Sequence, residues 1–291
     1  MELPLVVGVD GSASSLTAVD WAVDEAARRG LPLRLVYASL WERYEGSLLS
    51  DGPARPSEQV MAEHIVASAA ERARLRDPEV KTTTDILPQD AAEALVGAGD
   101  TAFALVTGAR GRSELSGLLL GSVGPAVAAR AYCPVIVVRG DRAGLAGTHE
   151  RILVGAGDPD TGGEAVRFAF EEARARGCVL DVVRAWRCPL HETADHRLRA
   201  GDSADRHAQQ ASAALDAALS GPAADHPDVL LRRTAVEGPA RKVLVDRSAA
   251  ADLVVIGARR PQGHAGHQLG RVAHRLLHHA QCPVAVVPER S

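Results

Sequence analysis

Aromatic side chains and lysines are scarce in this 291-residue chain. Phe, Trp and Tyr occur three times each, which leaves little on which to stack bases and none of the spacing of an RNA-reading sheet. Lys81 and Lys242 are the only lysines, so lysine chemistry has almost no candidates. A basic footprint is missing too. With 33 basic against 37 acidic side chains the formal charge is −4, which argues against neutralising a run of phosphates, and no nucleic-acid partner is expected. Cys133, Cys178, Cys188 and Cys282 are too few for a disulfide framework and form no CxxC, so they read as small buried hydrophobes. No apolar run approaches the about 18 residues of a membrane span, and Met1 to Gly11 lacks the flanks of a signal peptide. The expectation is a cytoplasmic chain with no membrane partner.

Several catalytic signatures are also absent. There is no GxxxxGK[ST] for a Walker-type NTPase and no GxSxG for a serine hydrolase. His191-Glu192 lacks the second histidine of HExxH, since His196 is one residue too far. Gly97-Ala98-Gly99-Asp100-Thr101-Ala102 matches the dinucleotide fingerprint GxGxxA, but it follows a helix and precedes a strand, the wrong context. Ten of the eleven histidines lie from His149 onward. His274 and His278 have the i, i+4 spacing of a metal pair, yet no carboxylate or cysteine accompanies them at ligand spacing. They read as a solvated helix face, with no metal site.

What is present is a duplication. At an offset of 147, Ala18 to Ala38 lies over Ala165 to Ala185; at an offset of 149, Phe103 to Gly111 lies over Asp252 to Arg260, and Tyr132 to Val138 over Gln281 to Val287. A repeat half the chain long means two domains rather than a solenoid. The expected domains are residues 1–140 and 150–291, joined by a short Gly-rich, charged linker from Arg139 to Glu150.

Within the first copy, Leu5 to Val9 reads as a buried strand that stops at Asp10-Gly11-Ser12. A helix follows, capped by Ser14 or Ser15 and stopped by Gly30. Leu33 to Ala38 and Val80 to Ile86 read as strands two and three. Ser57 to Arg76 is a long alanine-rich helix between them, ended by Asp77-Pro78. Asp90 to Val96 is a helix, Ala102 to Thr107 strand four, Gly121 to Arg130 a helix and Val135 to Val138 strand five. This alternation predicts an α/β fold: two duplicated doubly wound domains, each a five-stranded, mainly parallel sheet with helices on both faces. Ligands of such sheets sit beyond the carboxyl ends of strands where the strand order reverses, which points to the loops after strands one and four.

Strand four runs into a glycine-bearing loop, Gly108 to Ser122, with a helix behind it. Glycines let backbone amides approach phosphate oxygens, while Gly121 and Ser122 put free amides, a hydroxyl and the helix dipole at one point. Arg110 and Arg112 add positive charge there. Each bond from such a donor to a charged phosphate contributes roughly 1.5 to 3 kcal/mol, so a few hold a nucleotide.

The spacing Gly108-x2-Gly111-x9-Gly121-Ser122 resembles the ATP-binding signature of the universal stress protein family, as does Val9-Asp10-Gly11-Ser12 at the end of strand one. The CysProVal element before each last strand (Cys133 to Val135, Cys282 to Val284) and the duplicated length are similar to tandem members of that family. The resemblance implies an adenine nucleotide α-hydrolase-like fold, ATP with Mg as cofactor, and a regulatory role in stress or dormancy. It also implies that Val9 and Asp10 border the adenine, with the Asp10 carboxylate accepting from its edge, and that Ala38 lines the base pocket. Gly108, Gly111, Gly121 and Ser122 would meet ribose and phosphates, with Arg110, Arg112 and Val123 as neighbours. The bland readings stand beside these: Asp10 as a turn residue, Ser122 as a plain helix cap.

The second copy departs from the pattern. Gly257 and Gly270 keep their separation of 13, but Arg260 replaces the second glycine, Arg271 the serine, and Gly157 aligns with Asp10. Weak or absent ATP binding is expected there, with Arg259, Arg260 and Arg271 as candidates for another anion. The last strands are apolar edge candidates, and in the family this edge pairs domains or subunits, which implies an intrachain pair, a homodimer and an unknown regulatory protein partner. Two other classes stay open. One is a slow ATPase or nucleotidyl-transfer enzyme, for which Asp10 and Glu114 are the only acids placed near the phosphates; the other is a structural dimer with a vestigial pocket.

Overall fold

A computed structural model describes residues 2–40, 57–111, 120–157, 163–187, 200–258 and 269–289. The chain divides into two compact units, Met1–Arg139 and Gly140–Ser291. Each is an α/β unit built on its own set of parallel strands.

The first unit runs β1 (Leu5–Gly8), α1 (Ala13–Arg29), β2 (Leu33–Ala38), α2 (Ser57–Arg76), β3 (Thr82–Leu87), α3 (Ala91–Gly99), β4 (Ala104–Gly108), α4 (Val123–Arg130) and β5 (Val135–Val138). Its strands lie in the order β3-β2-β1-β4-β5, every pairing parallel. Leu5 stands opposite Leu33 on one side and Ala104 on the other, so β1 is the central strand. From β1 the chain moves outward through β2 and β3, then returns to place β4 on the opposite flank. The order therefore reverses between β1 and β4, and their carboxyl ends open the crevice where such sheets bind ligands.

Central strands buried on both faces need no alternation. Leu5, Val6, Val7, Ala104, Leu105 and Val106 are all fully buried, as the unbroken apolar runs dictate. The cap of α1 is Ser12 rather than Ser14 or Ser15. Gly11 takes φ +79°, which swings Ser12 into the extended conformation of a cap, and its Oγ accepts from the Ser15 amide at 3.1 Å. Gly30 stops the helix in the left-handed conformation, φ 67°, its amide donating to the carbonyls of Ala26 and Ala27. Glu25 is fully buried and accepts from Arg28 at 2.5 Å and Arg29 at 2.6 Å. On the outside, Arg72 and Arg76 of α2 reach Asp20 and Asp24 of α1.

The second unit repeats the plan with β6 (Arg151–Gly155), α6 (Gly163–Arg176), β7 (Val179–Trp186), α7 (Ala200–Asp225), β8 (Leu231–Glu237), α8 (Ala240–Ser248), β9 (Leu253–Ala258), α9 (Arg271–His279) and β10 (Val284–Pro288). Its strand order is β8-β7-β6-β9-β10, again parallel throughout. Glu172 repeats the burial of Glu25, paired with Arg176 at 3.1 Å.

The segment expected as a plain linker carries a short helix of its own, α5 (Arg142–Ala146). Asp141 caps it by accepting from the Gly144 amide at 2.9 Å, and Gly147 ends it at φ 68°. The Asp141 amide donates to the Gln281 carbonyl at 2.9 Å, so this stretch packs as part of the second unit. A Cβ at Gly140, φ +113°, would overlap that same carbonyl, which is why the chain needs glycine at this bend.

Candidate functional site

Beyond the carboxyl ends of β1 and β4 lies a cavity of about 380 Å³, within the range of small-molecule sites. Nine of the ten residues singled out from sequence line it: Val9, Asp10 and Ala38 from the ends of β1 and β2, Gly108, Arg110 and Gly111 after β4, and Gly121, Ser122 and Val123 at the start of α4. Arg112 lies outside the described residues, as does Glu114. The topology explains the convergence, since strand ends that are far apart in sequence meet where the order reverses.

Glycine is needed at two of these positions for different reasons. A Cβ on Gly108 would stand 2.7 Å from the backbone carbon of Ser14, so β4 passes against the first turn of α1 only without a side chain. A Cβ on Gly111 would stand 3.0 Å from Oδ2 of Asp10, which places the loop backbone directly beside that carboxylate. The loop is held from two sides. The Arg110 amide donates to Ser14 Oγ at 3.1 Å, and the Gly121 amide closes back onto the Ala109 carbonyl at 2.7 Å.

At the anion end, Ser122 occupies the cap position of α4 with φ −81° and ψ −32°, and its side chain makes no capping bond. The plain-cap reading of Ser122 is therefore wrong. A capping residue has extended backbone angles, and Ser122 has helical ones. The opening amides of α4 have no carbonyl partner within the helix, Pro125 contributes none, and no acidic residue stands in the first turn. Donors, a hydroxyl and the positive end of a helix dipole thus meet at one wall of the cavity.

Asp10 serves a turn as well as the cavity. Its Oδ1 accepts from the Ser12 amide at 3.0 Å, and its own amide donates to Ser15 Oγ at 3.4 Å. One carboxylate oxygen thus faces the turn and the other lies beside the glycine loop.

Sequence reasoning named Ser15 only as a helix cap and did not single out Leu95 or Thr107; all three also line the cavity. Leu95 approaches from α3, and a Cβ on Gly8 would stand 2.8 Å from its Cδ1. Thr107 is 4% exposed, and its Oγ1 is buried with no hydrogen-bond partner. A polar residue in the otherwise apolar β4 was the available signal for it.

The second unit differs at the matching place. Gly157 is described, with Arg184 donating to its carbonyl, whereas Arg259 and Arg260 lie outside the described residues. Gly270 caps α9 without a side-chain bond and Arg271 is exposed at its start. Beside Gly257, the counterpart of Gly108, lies the Glu289 carboxylate, which a Cβ on Gly257 would overlap. Glu289 accepts from the amides of Glu164 at 3.0 Å and Ala165 at 3.2 Å. Burial pushes its carboxyl above the usual range, against the lowering effect of those two amides. No sequence signal marked this residue, because its partners are 125 and 124 positions away.

Among the described residues no group of three or more His, Cys, Asp and Glu is placed to hold a metal ion, and no helix is long and apolar enough to cross a membrane.

Comparison with known proteins gives one answer twice. The model of the universal stress protein family matches residues 3–139 and again residues 148–288. Universal stress protein Rv2005c of Mycobacterium tuberculosis (strain ATCC 25618 / H37Rv) is 33% identical over 296 residues, covering 97% of this chain and 96% of its own. The crystal structure of a universal stress protein from Archaeoglobus fulgidus DSM 4304 superposes with a TM-score of 0.65 at 16% identity, covering 98% of both chains, and so shares the fold. A universal stress protein solved in complex with cAMP, with a TM-score of 0.37, is 31% identical over 47% of this chain and 98% of its own.

Proposed function

The chain belongs to the universal stress protein family, and on that premise we propose that its first unit binds ATP and acts as a regulatory module in a stress or dormancy response rather than as an enzyme. The observation that carries this is the meeting of Asp10, the glycine loop and the uncapped start of α4 around one cavity. The apolar end, formed by Val9, Val36, Ala38 and Leu95, suits a purine ring. The Asp10 carboxylate is the group read here as accepting from the exocyclic amine of the base. Gly111, Ser122 and Val123 offer donors to phosphate oxygens, and Arg110 adds charge that the chain as a whole lacks. The residues described here bring only one carboxylate to this cavity, so magnesium would be held chiefly by the phosphates and water.

A hydrolase would need a positioned base or a metal held by carboxylates. Asp10 spends Oδ1 on its own turn, which favours binding over turnover. Signalling then works by population shift, and requires a partner or a second subunit with unequal affinity for the occupied and empty states. The second unit, with Arg260 and Arg271 in place of glycine and serine, is read as binding ATP weakly or not at all, and the assembly as a homodimer.

The test is to denature freshly purified full-length protein and quantify released nucleotide per chain by chromatography and mass. About one ATP per chain is expected. Near two would refute the reading of the second unit. None, with no uptake on adding ATP and magnesium, would refute the proposal and favour a structural protein with a vestigial pocket.

A further inference from the structure

Helix α9 carries chemistry that the nucleotide reading leaves unused. Its apolar side is fixed by Ala273, Leu276 and Leu277, all buried. That anchoring turns Arg271, His274 and Arg275 outward and leaves His278 and His279 partly exposed. His274 and His278 are one helical turn apart, so they share a face; their ring centroids lie 4.5 Å apart with the planes inclined by 33°. Two histidines four residues apart on one exposed helical face have the spacing that helical zinc sites use. His279, whose ring centroid lies 6.1 Å from that of His278, is engaged by Arg275. Its Nε2 stands 2.8 Å from the Arg275 guanidinium, which only donates, so that nitrogen is an acceptor already engaged.

Two further observations bear on the charge of the ligand. His278 falls in the last turn of α9, where carbonyls left without helical partners present partial negative charge to a cation. Arg271 and Arg275 oppose this and hold the affinity down. The matching positions of the first unit, at the offset of 149, are Pro125 and Ala129, so the pair is present in one copy only.

We propose that His274 and His278 form a two-ligand site for a borderline divalent transition metal, of the zinc, nickel or copper class. Neutral imidazole nitrogens suit these ions, whereas magnesium and calcium require oxygen donors. No third His, Cys, Asp or Glu joins the pair among the described residues. The remaining coordination positions are therefore taken by water or by donors from outside the helix, and the metal exchanges readily. The solvated-face reading of these histidines is replaced by a site that is solvated and chelating at once.

The test uses the full chain in nucleotide-free buffer, titrated calorimetrically with zinc or nickel chloride. His274→Gln and His278→Gln should each weaken one site by at least about tenfold, the least that loss of even an outer-shell partner costs a metal site. The double variant should be no worse than either single one, because a chelate is lost with its first arm. His279→Gln should titrate like the unaltered protein, and magnesium should give no heat. Binding should weaken on acidification, because only a neutral imidazole can ligate a metal. As a readout that needs no variant, zinc should shift the ring resonances of His274 and His278 together, with a common midpoint. Single variants that titrate unchanged, or ring shifts that leave either residue unmoved, would overturn the proposal.

Discussion

Gly108 and Ser14 touch so closely that a single added methyl on the glycine would fall 2.7 Å from the serine backbone carbon and 2.6 Å from its Oγ. This contact sets the height at which β4 delivers the glycine loop to the cavity, because the same Oγ accepts from the Arg110 amide.

Replacing Gly108 by Ala should therefore act on both stability and binding. The clash is with backbone, which yields only if α1 or β4 shifts, and overpacking of this kind costs about 1 to 3 kcal/mol. Urea unfolding of the Gly108→Ala variant should show that loss, and ATP titration should show weakened binding in the same protein. The gentler Ser14→Ala removes only the bond to the Arg110 amide, and should lower affinity with a smaller change in stability.

Ser122 separates two readings by where its loss is felt. A side chain that caps a helix contributes about 0.5 to 2 kcal/mol, but Ser122 makes no capping bond. Ser122→Ala should leave the denaturation midpoint within about 0.5 kcal/mol of the original, as for an ordinary surface change. ATP affinity should fall by roughly tenfold, the loss of one hydrogen bond to a charged group. A midpoint that drops with affinity unchanged would restore the cap and remove the residue from the site.

Buried and exposed ion pairs should answer mutation very differently in this chain. Glu25 is fully buried while Arg28 and Arg29 are partly so, whereas Arg72 and Asp20 meet at the surface. Glu25→Ala should cost about 3 kcal/mol or more, since it strips the shared acceptor from two arginines over the core. Arg72→Ala should cost less than about 1 kcal/mol, and less still at high salt. Chemical denaturation at two ionic strengths checks both.

The broad plan was legible in the sequence because it rests on local and repeated signals. Strands β2 and β5, the span of α2 and the left-handed stop at Gly30 follow from apolar runs, alanine content and a glycine at the right place. The candidate site was legible for the same reason, since glycines and an aspartate at strand ends mark turns wherever they occur. The misreadings share a different cause. Ser12 rather than Ser14 caps α1 because Gly11 adopts a positive φ, which no pattern of apolar residues encodes. Helix α5 reads as linker in the sequence because five residues are too short for periodicity to register, and its stability comes from Asp141, Gly147 and packing on Gln281 and Cys282. Thr107 and Glu289 matter through what surrounds them in space, and for Glu289 those neighbours lie across most of the second unit.

Glu289 couples the stability of the second unit to pH. Burial raises the folded carboxyl above its ordinary value near 4.5, with Glu164 pushing the same way and Arg167 and the two amides pushing back. In the window between the unfolded and folded values the folded chain holds the proton more tightly than the unfolded one, so stability falls as pH rises through it. Glu289→Gln cannot ionise and should abolish that part of the slope. The difference in unfolding free energy between the two proteins, measured by urea titration from about pH 4 upward, should change in the variant's favour as pH climbs and level off above the folded value. The amide of glutamine supplies one acceptor where the carboxylate supplied two, so one of the Glu164 and Ala165 amides loses its partner, a fixed cost of about 1 to 3 kcal/mol that does not vary with pH. Offset and slope are thus separable: a variant that shows the offset alone, with the original pH dependence intact, would mean that the buried carboxyl titrates as it does in the unfolded chain.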